Sequence, residues 1–365
     1  MVNVTNIIGE FREADAQAHL DEYQFGTLRY QSVFPERYQS GLTWKQIEAQ
    51  TGAKVMADVV SFNSRAPRKG RPLPGKASGD MPKIEVARDK VETDFNTYRG
   101  LMNDFGGVNN AAARSNILKQ IIDWRYDDQV FVVDGVQARH EWLSKQIASN
   151  GKYSLTLTNN EAGIQTKTDV DFGIPTANRA NAAKDWSDPS ADIIADIEAR
   201  RDIARKKGKI LRYMWMELDN FNLMARNAGI QKFTATYAQV ALGLEARPDV
   251  AAVNAALSRQ GLPIVVLWDS FVTVENKAGE QETVSGWVDG NVTFSESLQL
   301  GDSPYTLTAD EYVTLGTATK TKSGIVLVKT WGEEDPITVV TKGVAYTTPV
   351  LNTASTNHIL KTKLS

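Results

Sequence analysis

Residues 64–79 constrain the fold of this chain more than any other stretch. They hold Pro67, Pro72, Pro74, Gly70, Gly75 and Gly79. They also carry Arg65, Arg68, Lys69, Arg71 and Lys76 without one acid. Proline and glycine at this density forbid a helix or a central strand. Residues 53–62 read as a strand rich in Val and small side chains. Lys83 to Val86 and its continuation read as the return strand. The expectation is an extended hairpin with a basic tip. Too little apolar material lies at the tip to anchor it to its own core, so it is placed either as a surface loop or across a neighbouring molecule.

Charge decides what that tip can meet. The chain has 41 Lys and Arg against 44 Asp and Glu, a net charge of −3. No excess of positive charge supports the tip, and it lacks the interleaved aromatics of a single-strand binder. A contact with carboxylates of an adjacent subunit suits it better, because Arg can bind them in a bidentate way. With 365 residues and 42% hydrophobic content there is material for a sizeable core in two or three subdomains. Cysteine is absent, which excludes disulfides, thiol nucleophiles and thiolate metal sites. His19, His140 and His358 are too few for a multi-histidine metal site. The first ten residues lack a signal-peptide pattern, and no apolar run approaches the roughly 20 residues of a membrane span. The expectation is a soluble protein used without export.

Periodicity gives a mixed chain. Residues 5–20 form a weak helical pattern, and residues 42–47 a short amphipathic turn ended by Thr51 and Gly52. Residues 109–124 are helical by spacing, residues 130–136 fit strand or helix equally, and residues 136–149 favour helix, with Glu141 and Lys145 as an i,i+4 pair and Gly151 as the stop. Residues 153–158 and 165–172 read as a hairpin. Asp188 is the expected N-cap of a helix with Pro189 in its first turn and Gly208 behind it; a second helix spans residues 248–260. Residues 264–274 and 283–294 read as strands about a turn at 276–280. Residues 325–331, 337–341 and 344–350 are the strongest strands. Helices and strands are segregated rather than alternating, so the class is α+β.

Chemistry is hard to find. No phosphate loop, dinucleotide fingerprint, nucleophile elbow or zincin motif occurs. Glu333, Glu334 and Asp335 could supply a hydrolase with an acid and a base, but consecutive carboxylates before a proline read as solvated turn residues. His140 could act as a base, yet no partner is indicated. No cofactor and no metal is implied.

Whole segments carry a resemblance instead. Val170-Asp171-Phe172-Gly173-Ile174-Pro175 and the run from Trp186-Ser187-Asp188-Pro189 to Asp196-Ile197-Glu198 resemble the middle of the phage lambda-type major capsid proteins. Gly41-Leu42-Thr43-Trp44-Lys45-Gln46-Ile47 looks like that family's entry into its extended loop, and Arg139-His140-Glu141-Trp142-Leu143 is similar to its long helix. Lys329-Thr330-Trp331-Gly332-Glu333-Glu334-Asp335-Pro336, Val339-Val340-Thr341-Lys342 and Tyr346-Thr347-Thr348-Pro349-Val350 look like its C-terminal strands. The matches keep chain order over about residues 34–351.

The resemblance implies the capsid fold known from phage Hong Kong 97. Its parts would be an N-terminal arm (1–45), an extended loop (46–95), a peripheral domain with spine helix and hairpin (96–185), an axial domain (186–325) and C-terminal strands returning to the peripheral domain (326–365). It implies a non-enzymatic subunit that self-assembles as hexamers and pentamers into an icosahedral head in the virion. That head would enclose DNA without sequence-specific contact and be built in the host bacterial cytoplasm, with no membrane involved. A separate scaffolding protein and a portal protein are expected, with room for a decoration protein. Because family-like segments begin near Phe34, little or no N-terminal trimming is expected. Lys69 or Lys76 could in principle cross-link to a neighbour, but non-covalent closure is favoured. A nanocompartment shell of the same fold, enclosing a protein cargo, is the alternative.

Overall fold

The computed structural model describes residues 12–26, 28–46, 77–156, 159–160, 169–235, 243, 246–275, 279–313 and 318–364. Residues 53–62 and the basic residues Arg65, Arg68, Lys69, Arg71 and Lys76 lie outside them.

One helix organises the rest. Ala111–Asn150 is forty residues long, about 60 Å at 1.5 Å per residue. Asn110 caps its start, the side chain accepting from the N–H groups of Ala112 and Ala113. Gly151 ends it with φ 68°, where a Cβ would stand 2.3 Å from Ile174 Cδ1, so only glycine fits. The ambiguous residues 130–136 are helical and lie mid-helix. Val132, Val133 and Val136 are buried against a sheet, and that packing, not local propensity, settles their state. Two glycines allow the close approach: a Cβ on Gly135 would meet Val86 at 3.0 Å, and one on Gly343 would meet the Val132 carbonyl at 2.7 Å.

That sheet has seven strands. Its central path runs Glu36–Tyr38, Gly301–Thr306, Ile337–Thr347, Val326–Glu334 and Thr319–Ser323; Lys83–Lys90 pairs with Ile337–Thr347, and Val350–Leu351 with Gly301–Thr306. The return strand is therefore longer than expected, and its described partner is the C-terminal strand rather than the outgoing limb of the loop. Residues 337–347 form one strand where two were expected. Gly343 does not break it, because the helix backbone packs against that point. The edge strand Thr319–Ser323 is covered by the helix Glu13–Glu22: Gln17 donates to the Lys322 carbonyl at 2.8 Å and accepts from its N–H at 2.8 Å. A side-chain amide thus completes the ladder where a further strand would otherwise add.

A second sheet has five strands in the order Arg179–Asn181, His358–Lys361, Asn291–Ser295, Tyr213–Met216 and Ile264–Leu267. Tyr213–Met216 and Ile264–Leu267 pair in parallel, so helices must cross between them. Those are Leu218–Arg226, Ala228–Thr234 and Val250–Arg259. They pack with Ile193–Lys206 on a core containing Met214, Met224, Val265 and Leu257. Ile193–Lys206 is capped by Asp192, whose side chain accepts from the Ala195 N–H, and not by Asp188. Asp188 instead closes the preceding turn by accepting from Ser190. The expected strand over residues 264–274 is two strands, Ile264–Leu267 and Val272–Glu275; the second forms a separate hairpin with Gln281–Val284.

The two sheets interleave along the chain. Arg179–Asn181 and His358–Lys361 belong to the five-stranded sheet, whereas Gly301–Thr306 and Thr319–Ser323 belong to the seven-stranded one. The last strand therefore leaves the first sheet and closes the second. Its partners are Asn291–Ser295 and Arg179–Asn181, which lie far away in sequence.

Candidate assembly interface

The structure describes the segments on either side of residues 47–76. Thr43–Lys45 is a strand, not the expected amphipathic turn, and pairs antiparallel with Ser78–Asp80. Trp44 is buried beneath it, against Phe172 at 5.6 Å between ring centres. A Cβ on Gly79 would come within 3.2 Å of the Trp44 ring, so glycine lets the two limbs lie over the indole. Gln46 then locks the exit. Its N–H donates to the Ala77 carbonyl at 2.9 Å, and its side-chain oxygen accepts from the Ala77 N–H at 3.2 Å. Its amide nitrogen donates to the carbonyls of Leu351 at 2.8 Å and Phe172 at 3.2 Å. One buried side chain thus joins both ends of the excursion over residues 47–76 to the sheet and to the hairpin Lys152–Ser154 with Asp169–Asp171.

The long helix carries most of the buried charge. Glu141 accepts from the Tyr30 N–H at 2.9 Å, from Trp268 Nε1 and from Ser270 Oγ. Lys145 has no exposed side-chain surface; it donates to Glu217 at 3.0 Å, to the Ser270 carbonyl at 2.7 Å and to Ser285 at 2.7 Å. Burial pushes its ammonium below the ordinary value against the pull of Glu217. The expected i,i+4 pair Glu141–Lys145 is thus two buried anchors that fasten the helix to distant segments and converge on Ser270. Sequence reasoning missed this because Glu217, Trp268, Ser270 and Ser285 are remote in the chain. Nearer the helix start, Lys90 lies between Asp127 and Asp128. Burial raises the Asp128 carboxyl, and Lys90 opposes that rise. On the short helix Ala309–Tyr312, Asp310 accepts from Lys329 and Lys342 of two neighbouring sheet strands, each at 3.0 Å. Partial burial pushes its carboxyl up, but the two ammonium groups override this and hold it at about 2.

The residues weighed for catalysis are not brought together. Glu333, Glu334 and Asp335 are exposed at the tip of the hairpin between Val326–Glu334 and Ile337–Thr347; Glu333 accepts from Trp331 Nε1 at 3.1 Å. His140 is fully buried against Tyr30; burial lowers its pKa to about 3. His358 is likewise buried, and burial together with Lys207, Arg200 and Lys209 lowers it to about 4. Among the described residues neither ring bonds to a carboxylate, and both are packed in the interior. Among the described residues no group of His, Asp and Glu is placed to hold a metal ion. None of the described helices is long and apolar enough to cross a membrane.

A forty-residue helix packed on a seven-stranded sheet, with a second, five-stranded sheet reached by chain crossovers, is the arrangement of the phage-capsid class of fold. A prophage capsid protein of Escherichia coli CFT073 shares it: TM-score 0.56 at 15% identity, covering 96% of this chain and 99% of that one. A phage-related protein of Bordetella bronchiseptica RB50 matches more loosely, with TM-score 0.48 at 12% identity over 96% of each chain. No curated protein matches the chain. The family described as phage major capsid protein E matches residues 22–356, and this chain belongs to it. Its role is that of a shell-forming structural subunit of a bacteriophage virion, self-assembling into capsomers.

Proposed function

We propose that the chain closes as hexamers and pentamers into an icosahedral head that encloses phage DNA without reading its sequence. Assembly takes place in the host bacterial cytoplasm on a separate scaffolding protein and around a portal, and the finished shell has room for a decoration protein. The arm, the long helix with the seven-stranded sheet, and the five-stranded unit serve as arm, peripheral domain and axial domain. The role is structural, and no turnover is needed. The observation that carries this reading is the pairing at residues 46 and 77: a buried glutamine joins the two ends of a segment that holds Arg65, Arg68, Lys69, Arg71 and Lys76 with no acid among residues 64–79. We assign those cations to carboxylates of the adjacent subunit. Each exposed pair contributes at most about 1 kcal/mol, but the contact repeats at every subunit and the small terms accumulate on closure. Phage particles purified through high salt should show a nucleic-acid absorbance spectrum, and Arg68→Glu with Lys69→Glu and Arg71→Glu should lower particle yield while leaving circular dichroism unchanged. Particles filled with protein and free of nucleic acid would favour the nanocompartment reading instead, and normal yield from the triple variant would remove the loop assignment.

A further inference from the structure

The helix Ile193–Lys206 ends in a concentration of positive charge. Seven of the thirteen residues from Arg200 to Arg212 are Lys or Arg, and Asp202 is the one acid among them, in a chain whose net charge is −3. The helix macrodipole offers only about half a negative charge against this. The neighbouring carboxylates are already engaged. Asp202 takes Arg201 at 3.1 Å and Arg205 at 3.7 Å. Asp196 accepts from the Ala183 N–H and from Trp186 Nε1, and Glu296 accepts from the Ile210 N–H. Lys206, Lys207 and Arg212 are exposed and meet no carboxylate among the described residues.

Two of these cations are held in place by neutral oxygens. Lys207 donates to Asn178 Oδ1 at 2.8 Å, and Lys209 to the Ser355 carbonyl at 2.6 Å. Asn178 is buried and joins the two, its amide nitrogen donating to the same Ser355 carbonyl at 3.1 Å. Gly208, at φ 71°, turns the backbone between the lysines. An ammonium held by one neutral oxygen keeps its charge and two further N–H donors for another acceptor. No aromatic residue stands between Arg200 and Arg212, so unstacked bases would find no platform there. Carboxylates of a neighbouring copy are best met by the fork of Arg, whereas the point charges of Lys serve the spaced phosphates of a duplex.

We propose that this end of the five-stranded unit faces the shell interior and holds the phosphate backbone of double-stranded DNA through Lys206, Lys207 and Arg212, without base contacts. This rests on the reading that the shell encloses DNA, which the absorbance of purified particles tests separately. The experiment titrates a labelled random-sequence DNA duplex with unassembled full-length subunits over a range of NaCl, with binding read by anisotropy. Log affinity of the wild type should fall linearly with log salt. Lys206→Gln, Lys207→Gln and Arg212→Gln together should weaken binding at least about tenfold at low salt. The salt slope should fall by about two to three, whatever the duplex sequence. Lys206→Gln alone has no ion pair among the described residues to lose; it should reduce the slope by about one and serves if the triple variant fails to fold. Inorganic phosphate should displace the duplex no better than chloride at matched ionic strength. Unchanged affinity and slope in the variants would overturn the proposal. So would stronger displacement by inorganic phosphate, which would make this a small-anion site. A triple variant that binds DNA normally yet loses particle yield would also overturn it, assigning the cations to carboxylates of a neighbouring copy.

Discussion

His140 shows how one buried side chain links fold and conditions. Its ring packs on Tyr30 at a tilt of 55° with centres 4.4 Å apart and approaches Thr347 Oγ1 at 3.4 Å, without solvent exposure. The folded pKa is about 3, against about 6.5 for an exposed histidine. The unfolded chain therefore binds the proton first as pH falls. The stability tied to the neutral ring is fully present above about pH 6.5 and is lost progressively toward pH 3. His358, lowered to about 4 for the same first reason, acts in the same direction. Asp310 adds to it below about pH 4, because its folded pKa of about 2 lies under that of a free carboxyl. We expect the urea midpoint of the unassembled subunit to drop between pH 7 and pH 4, and His140→Leu to flatten that slope. An unchanged slope would mean that the ring is protonated in the fold.

At the scale of elements, the strand pair Thr43–Lys45 with Ser78–Asp80 shows how a short pairing is fixed by its surroundings. A three-residue strand pair contributes little by itself. Its direction is set by Trp44 beneath it and by the Gln46 amide, which reaches Ala77, Phe172 and Leu351 together. Gln46→Ala removes the side chain and leaves two carbonyls and one N–H to find other partners. The expected loss is about 1–3 kcal/mol in subunit stability by denaturant unfolding, with a larger fall in particle yield than an equally destabilising core change such as Val133→Ala. Equal yields at equal stability would reduce Gln46 to a packing residue. The same scale shows what was legible beforehand. Asn110 and Gly151 lie close to the helix ends that spacing and a glycine stop suggested, and Gly208, Gly261 and Gly290 mark turns at positive φ. Local rules failed where partners are distant. Asp188 was the expected cap, yet Asp192 begins the helix and Asp188 accepts from Ser190 in the turn before it. Gly343 looks like a strand break until the helix against it is known.

On the scale of the whole molecule, the α+β class and the capsid family were readable because ordered segments along the chain carry the resemblance, each short but together specific. Sheet membership was not. The final strand His358–Lys361 pairs with residues 179–181 and 291–294, and no propensity encodes such partners. The buried anchors Glu141 and Lys145 were visible as residues but not as anchors, since their partners lie on other elements. This division is physical: periodicity reports which face of an element is buried, whereas the identity of the covering element comes from the fold. The two cores joined through one long helix have a clear purpose only if many copies build a common surface. Electron microscopy of particles assembled from the full chain, together with the scaffolding protein proposed above, tests this most directly. The account predicts closed isometric shells resolved into hexamers and pentamers. A preparation that stays folded and monomeric across salt and protein concentration, with scaffolding protein present, would contradict it.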